Sequence, residues 1–153
     1  MFMKCVRWLM IVVLCALIGC NLNRLKEAKE SLDSHDLATA EKRYRAILES
    51  NPQEVEALSG LGWTYHLALK RDEALSQFSY CLGIEPTNIE CIRGKSSVIL
   101  AQGDANQARL WLDKALTIDP DDPEVLVSDA IWKLAQGEIS KASRQLEMVI
   151  RRV

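Results

Sequence analysis

The chain has little of what catalysis and metal binding usually require. It carries two histidines, and neither His35 nor His66 has a neighbour at the spacing of a metal pair or of a nucleophile and its base. Its seven glycines form no phosphate-cradling loop. Its acidic residues are spread in the way that is typical of solvated helix faces. We therefore expect no enzyme, no cofactor and no metal site.

An excess of positive charge is also absent. The net charge is −2, and two of the cations, Lys4 and Arg7, lie in an N-terminal segment that we expect to be removed. The remainder is then near −4, since no acidic residue leaves with them. This charge argues against a nucleic acid as partner.

Three of the four prolines recur at one fixed interval, from Pro52 to Pro86 to Pro120, in two steps of 34 residues. Alanine recurs twelve residues before each of them and once more in the same phase, as Ala40, Ala74, Ala108 and Ala142. A period of 34 is typical of stacked helix–turn–helix repeats. It divides the chain into repeats at approximately 21–54, 55–88, 89–122 and 123–153.

The second repeat carries the most complete motif. Its residues are Leu58, Leu61, Gly62 and Tyr65, then Ala74 and Phe78, then Pro86. This pattern resembles the tetratricopeptide repeat, which implies an all-α fold in a right-handed superhelical array of antiparallel helix pairs. About 3.5–4 such repeats fit the chain, enough for a continuous core.

Small residues fall at the expected helix crossings, and proline and glycine fall at the expected helix ends. The alanines and Gly62 fall where two helices cross closely, because larger side chains would push the backbones apart. Each recurring proline ends a second helix. Gly103 and Gly137 are expected to end first helices in the left-handed conformation.

One position that is apolar in the second repeat is charged in the third and fourth repeats. Lys95 and Asp129 stand where the second repeat has Leu61, again in steps of 34. Two interpretations remain open: an ion pair between them, which Lys133 would join, or a solvated charged strip that contributes little.

The resemblance also implies a binding surface. In this family the first helices of successive repeats line a concave groove, so we expect a protein partner, a peptide or a helix, to bind there. The predicted groove residues are Glu56, Trp63, His66, Leu67, Glu90, Arg93, Leu100, Glu124, Val127, Ile131 and Leu134.

Within that set, the apolar residues form an expected floor and Glu56, Glu90 and Glu124 an expected acidic ladder. Together they favour a cationic partner segment, with a cation–π contact at Trp63. The alternative is that the apolar residues only complete the core of a short array.

The first twenty residues have the features of a targeting signal. Lys4 and Arg7 precede an apolar run from Trp8 to Ile18, which is well short of the roughly twenty residues of a spanning helix. The following Leu17-Ile18-Gly19-Cys20 resembles the bacterial lipobox. That resemblance implies a signal peptide at 1–19, cleavage before Cys20, acylation of Cys20 and a mature domain at 20–153. Asn21 is not the aspartate that retains lipoproteins in the inner membrane of enteric bacteria, which favours the periplasmic face of the outer membrane.

Two cysteines remain in the repeats. Cys81 and Cys91 lie ten residues apart, one in the second helix of a repeat and one at the start of the next repeat. A disulfide is allowed in an oxidising envelope. The alternative, which we favour from the sequence, is two small buried apolar side chains.

The combined features resemble the small repeat lipoproteins of type IV and tight-adherence pilus systems, which help an outer-membrane secretin assemble. An adaptor that docks cell-wall hydrolases and a general envelope scaffold remain as alternatives. Polar residues on the last helix predict a capped, monomeric array; they are Ser143, Arg144, Glu147, Arg151 and Arg152.

Overall fold

The computed structural model describes residues 21–152, and the predictions on the signal peptide and Cys20 lie outside them. Within this part the secondary structure is helical, as predicted. The first helix, α1, covers 21–33. The others are α2 (Leu37–Ser50), α3 (Val55–Leu67), α4 (Arg71–Ile84), α5 (Ile89–Ala101), α6 (Ala105–Ile118), α7 (Pro123–Ala135) and α8 (Ile139–Arg152).

The helix boundaries follow the 34-residue period. The helices α3, α5 and α7 begin at Val55, Ile89 and Pro123, each 34 residues after the one before. The helices α2, α4 and α6 each end two residues before a recurring proline, as predicted. Side chains that cap helix starts recur as well, at Asp36, Asn88, Asp104 and Asp122.

The turn after each first helix has a positive φ at one recurring position. Gly103 (φ 92°) and Gly137 (φ 78°) occupy it as expected. In the two earlier repeats the same position holds His35 (φ 61°) and Leu69 (φ 60°). A side chain at this φ is strained, so the first two turns adopt the geometry at an energetic cost.

The first helices α3, α5 and α7 each pack against the second helix of their own repeat and against the second helix of the repeat before. The first helices α3, α5 and α7 also touch one another in order, which makes them the inner layer. The second helices α4 and α6 lie outside. This is the predicted solenoid of helix pairs.

The largest buried side chain in the middle of the array is Phe78, which has no exposed surface. It lies against two glycines, Gly62 of α3 and Gly94 of α5. A Cβ atom at Gly62 would lie 2.7 Å from the Phe78 ring, closer than real contacts allow. The close crossing predicted at Gly62 is confirmed.

The recurring alanines are all buried. Ala40, Ala74, Ala108 and Ala142 have no exposed surface, because each lies where a second helix meets its neighbours. A second apolar cluster lies further along the array and contains Ile92, Leu112, Ala115 and Val125, with Trp132 packed against it.

The two repeat cysteines are joined. Cys81 and Cys91 form a disulfide with their Cα atoms 6.4 Å apart, and both are fully buried. It connects the last turn of α4 to the first turn of α5. Of the two alternatives from the sequence, the structure therefore has the disulfide and not the free, packed thiols that we favoured.

Lys95 and Asp129 do not form the ion pair of our first interpretation. Asp129 Oδ1 lies 2.6 Å from Arg109 Nη1, and Asp129 Oδ2 lies 2.6 Å from Lys133 Nζ. The expected contact with Lys133 is confirmed, but Lys95 is not a partner of Asp129. Lys95 Nζ donates instead to Ser79 Oγ of α4, at 2.9 Å.

The last helix is less polar at its surface than predicted. Ser143, Arg144, Glu147 and Arg151 are exposed as expected. Ile139, Met148 and Ile150 are exposed among them, at 68%, 52% and 75%. The monomeric state stays a prediction.

Candidate functional site

The structure has a groove of about 820 Å³ on the inner layer, between α1, α3 and α5. Six residues predicted from the sequence line it: Glu56, Trp63, Leu67, Glu90, Arg93 and Glu124. The aromatic ring at its floor is positioned by the core, because Trp63 packs edge-on against Phe78 with ring centres 5.6 Å apart.

The remaining predicted residues lie outside this groove. His66 is half buried behind Trp63, with the two ring centres 5.6 Å apart. Burial, and then the charge of Arg71, lower the pKa of His66, so its ring is neutral at pH 7. Leu100 and Val127 are partly buried.

Ile131 and Leu134 lie on α7, beyond the end of the groove, and are 52% and 45% exposed. Of α7 only Glu124 lines the groove, and its Oε2 lies 3.5 Å from Arg93 Nη1 of α5. The apolar floor is thus divided, with one part in the groove and one on the surface of the fourth repeat. Whether this second part takes a role in binding stays a prediction.

Several lining residues were not predicted. They come from α1, α2 and the turn between them: Leu25, Lys26, Lys29, Leu32, Asp33, His35 and Tyr44. A signal for three of them was present, since a step of 34 residues back from Ser59, Trp63 and His66 gives Leu25, Lys29 and Leu32. The prediction stopped at the second repeat because the first repeat matches the motif least well.

Arg93 offsets part of the negative charge of the predicted acidic ladder. Its Nη2 lies 2.8 Å from a Glu90 carboxylate oxygen, and its Nη1 lies 3.5 Å from Glu124 Oε2. Its guanidinium carbon lies 4.6 Å from the centre of the Trp63 ring. Two of the three ladder carboxylates are therefore paired within the chain, and Arg93 itself supplies the cation–π contact that we had expected from a partner.

Glu56, the third carboxylate of the ladder, has a raised pKa. A hydrogen bond from its own backbone lowers that pKa, but the opposing effects prevail. These are a side-chain hydrogen bond with Glu54, burial, and repulsion from Glu54 and Glu85. Glu56 is thus the ladder residue with most to gain from an external cation or hydrogen-bond donor.

Some buried polar groups around the floor of the groove have no hydrogen-bond partner. Among the described residues, three buried side-chain nitrogens have no hydrogen-bond partner: Trp63 Nε1, His66 Nδ1 and Arg93 Nε. The indole and guanidinium nitrogens can only donate. Burying such groups without a partner costs free energy.

Two features are missing from the residues that the structure describes. None of their helices is both long and apolar enough to cross a membrane. No group of three or more His, Cys, Asp or Glu side chains among them is arranged to hold a metal ion.

Comparisons with known proteins agree with the fold. The sequence model of the tetratricopeptide repeat matches residues 25–83, which is well under half of the chain. Cellulose synthase operon protein C of Pseudomonas fluorescens (strain SBW25) is 25% identical over 129 residues, which are 84% of this chain and 10% of that protein. The chain thus spans about a tenth of the length of the curated relative that it matches.

Solved structures are similar over most of the described helices. A thermophilic tetratricopeptide-repeat protein of Thermus thermophilus superposes with a TM-score of 0.77 at 20% identity, over 86% of this chain and 73% of that one. A mutant O-GlcNAc transferase of Thermobaculum terrenum gives a TM-score of 0.70 at 20% identity, over 74% of this chain and 22% of that enzyme. At these identities the likeness concerns the fold alone. The residues that the structure describes therefore share the fold of solved tetratricopeptide-repeat structures, and the sequence model of that repeat matches residues 25–83.

Proposed function

We propose that this chain is a lipid-anchored protein-binding scaffold of a bacterial envelope, and that its groove between α1, α3 and α5 binds a peptide or helix of the partner. The observation that carries the proposal is the floor at Trp63. An aromatic ring and two leucines, Leu25 and Leu32, line the same groove. A peptide or helix would supply apolar side chains that cover them.

The proposed partner is a component of a pilus or secretin assembly in the outer membrane, with Cys20 as the acylated anchor. Support for the anchor comes from the sequence Leu17-Ile18-Gly19-Cys20 and from the short apolar run before it. Two or three acyl chains would hold the domain stably at the membrane, where a single chain binds only reversibly.

The groove is tested by affinity capture from solubilised membranes, with the full chain as bait. Leu67 lines the groove at 44% exposure, so Leu67→Asp places a charge on the apolar wall with little risk to the core. Met148→Asp is the matched control, because Met148 is 52% exposed and lies on α8, away from the groove. We expect the native chain and the control to capture a secretin or pilus component and Leu67→Asp to lose it. Equal capture by all three would contradict the groove.

The anchor is tested separately with Cys20→Ala. The native chain should incorporate labelled palmitate and remain in the membrane fraction. The variant should incorporate none, and labelling of the variant at the native level would contradict the proposed site.

A second candidate is a scaffold in a cellulose synthase system. It is favoured by the match to cellulose synthase operon protein C over 84% of this chain. Capture of cellulose synthase subunits instead of pilus components would select it. Capture of a peptidoglycan hydrolase would select the adaptor alternative.

A further inference from the structure

The outer surface of the array has three seams, each between two successive second helices. Seam 1 lies between α2 and α4, seam 2 between α4 and α6, and seam 3 between α6 and α8. The position occupied by Leu61, Lys95 and Asp129 belongs to seams 1, 2 and 3 in that order, one repeat apart. The three seams therefore have equivalent backbone positions but different side chains.

In seams 1 and 3 the cations lie beside a carboxylate of the chain. In seam 1, Lys70 Nζ and Arg45 Nη2 both lie 3.0 Å from Glu41 carboxylate oxygens. In seam 3, Asp129 lies 2.6 Å from a nitrogen of Arg109 and 2.6 Å from Lys133 Nζ. Each of these two seams thus has an ion-paired carboxylate.

Seam 2 holds two cations on one aromatic ring. Lys95 Nζ lies 4.4 Å from the centre of the Trp111 ring, and Lys114 Nζ lies 4.0 Å from the same centre. Among residues 21–151, no carboxylate lies within 4.0 Å of either ammonium group. Two positive charges thus meet where the equivalent seams have a carboxylate.

A third donor stands beside them. Ser79 Oγ accepts the hydrogen bond from Lys95 Nζ at 2.9 Å. A hydroxyl that accepts one hydrogen bond keeps its own hydrogen to donate. Three helices, α4, α5 and α6, thus contribute two ammonium groups around one ring and a hydroxyl that is bonded to one of them.

We propose that seam 2 binds a phosphate-type dianion, either inorganic phosphate or the phosphomonoester of a small molecule or lipid headgroup. Two negative charges match the two lysines, and several oxygens match the three donors. Lysine binds phosphate as a point charge, and the indole ring keeps both ammonium groups in place.

The state of Lys95 is consistent with this proposal. Burial, and then repulsion from Lys114, lower the pKa of Lys95. A dianion between the two lysines removes the repulsion and compensates for the burial. The site is separate from the inner groove and does not depend on the function proposed for it.

The proposal is tested by isothermal titration of the full chain in detergent micelles with sodium phosphate and, in a second arm, with glycerol 3-phosphate. We expect saturable binding at one site, weakened about tenfold in Lys114→Gln, because one charge-assisted contact is lost. Lys42→Gln is the matched control, since Lys42 is an exposed lysine of α2 outside the seam. It should bind as the native chain does.

The outcomes separate the sources of the anion. Binding of both ligands supports a site that accepts a phosphomonoester headgroup, and binding of inorganic phosphate alone supports a site for the free ion. No saturable binding in either arm overturns the proposal. Lys114→Gln binding at native strength also overturns it, and circular dichroism of this variant is the check that the exposed substitution leaves the helices intact.

Discussion

In the middle of the array, the ring of Phe78 fills the space between Gly62 and Gly94 and leaves no surface exposed. In the C-terminal half, the corresponding helices are joined by a buried carboxylate, Asp129, that binds two cations. The helix pairs nevertheless have the same lengths and spacing. One repeat backbone is thus stabilised by aromatic volume in one place and by charge in another.

The difference has consequences that can be measured. Packing around an aromatic ring depends on shape and is insensitive to pH. A buried ion pair depends on the protonation of its carboxylate. The two halves should therefore fail under different perturbations, and the following predictions run from the largest expected effect to the smallest.

Gly94→Leu should damage the middle of the array most. A Cβ atom at Gly94 would overlap the Phe78 ring, which has no room to move. We expect the free energy of unfolding to fall by about 3–4 kcal/mol, measured by urea denaturation. Gly83→Ala is the control: nothing lies within 4 Å of its added Cβ, and it should stabilise α4 by up to about 1 kcal/mol. Equal loss from both changes would contradict the packing account.

Asp129→Ala should damage the C-terminal half by about 2–3 kcal/mol, because it leaves two cations beside a cavity without their carboxylate. Burial alone would raise the pKa of Asp129, but its hydrogen bonds, that from Lys133 foremost, lower it below the ordinary 3.8. The carboxylate therefore stabilises the fold fully above that ordinary pKa, and the contribution is lost as the pH falls through the lower pKa of the folded state.

The measurement is urea denaturation of the native chain and Asp129→Ala as the pH is lowered. Their difference should be constant from about pH 5 to 8 and shrink below about pH 4. The difference between the native chain and Gly94→Leu should not shrink in this way. A pH-independent effect of Asp129→Ala would rule out the ionic account of this half.

The disulfide between Cys81 and Cys91 should give a smaller effect, because the loop that it closes is short. Reduction should cost about 2 kcal/mol in the free energy of unfolding, seen as a lower melting temperature with reductant. The Cys81→Ala/Cys91→Ala chain should melt at one temperature with or without reductant. Two free thiols in the mass of the oxidised native domain would contradict the bond.

Leu69→Gly should stabilise the chain slightly, by about 0.5–1 kcal/mol, because glycine relieves the left-handed conformation at φ 60°. It removes little packing, since Leu69 is 72% exposed. Gly103→Ala, in the same turn of the next repeat, should have the opposite sign. Thermal melting of both variants gives the comparison, and stabilisation by both would contradict it.

The helices could be predicted from the sequence because the residues that define their ends are local signals that recur with the repeat. Prolines two residues after α2, α4 and α6, and glycines at the turns after α5 and α7, act on the backbone within a few residues. The alanines at helix crossings are fixed by the same period. Such features need no knowledge of which side chains meet across the array.

The charged contacts were harder to predict, because they depend on reach between helices. Lys95 and Asp129 occupy equivalent positions on α5 and α7, but the repeat period does not say towards which neighbouring helix each side chain turns. Each binds a neighbouring second helix instead, Lys95 at Ser79 and Asp129 at Arg109.

The groove was predicted in part for a related reason. Its central residues, Trp63 and Glu90, follow from the repeat register. Its end at Glu124 does not follow from the register, because it depends on how the side chains of α5 and α7 meet. Its extension to Lys29 of α1 required a repeat with a weak motif.

The most direct test of the groove as the binding site is photo-crosslinking from single positions in intact cells. A photoreactive phenylalanine analogue at Leu67 should crosslink to a partner protein, and the same analogue at Met148, on α8, should not. That partner should be the protein lost from capture by Leu67→Asp. Crosslinks to it from Met148 and none from Leu67 would contradict the groove and place the partner on the outer face.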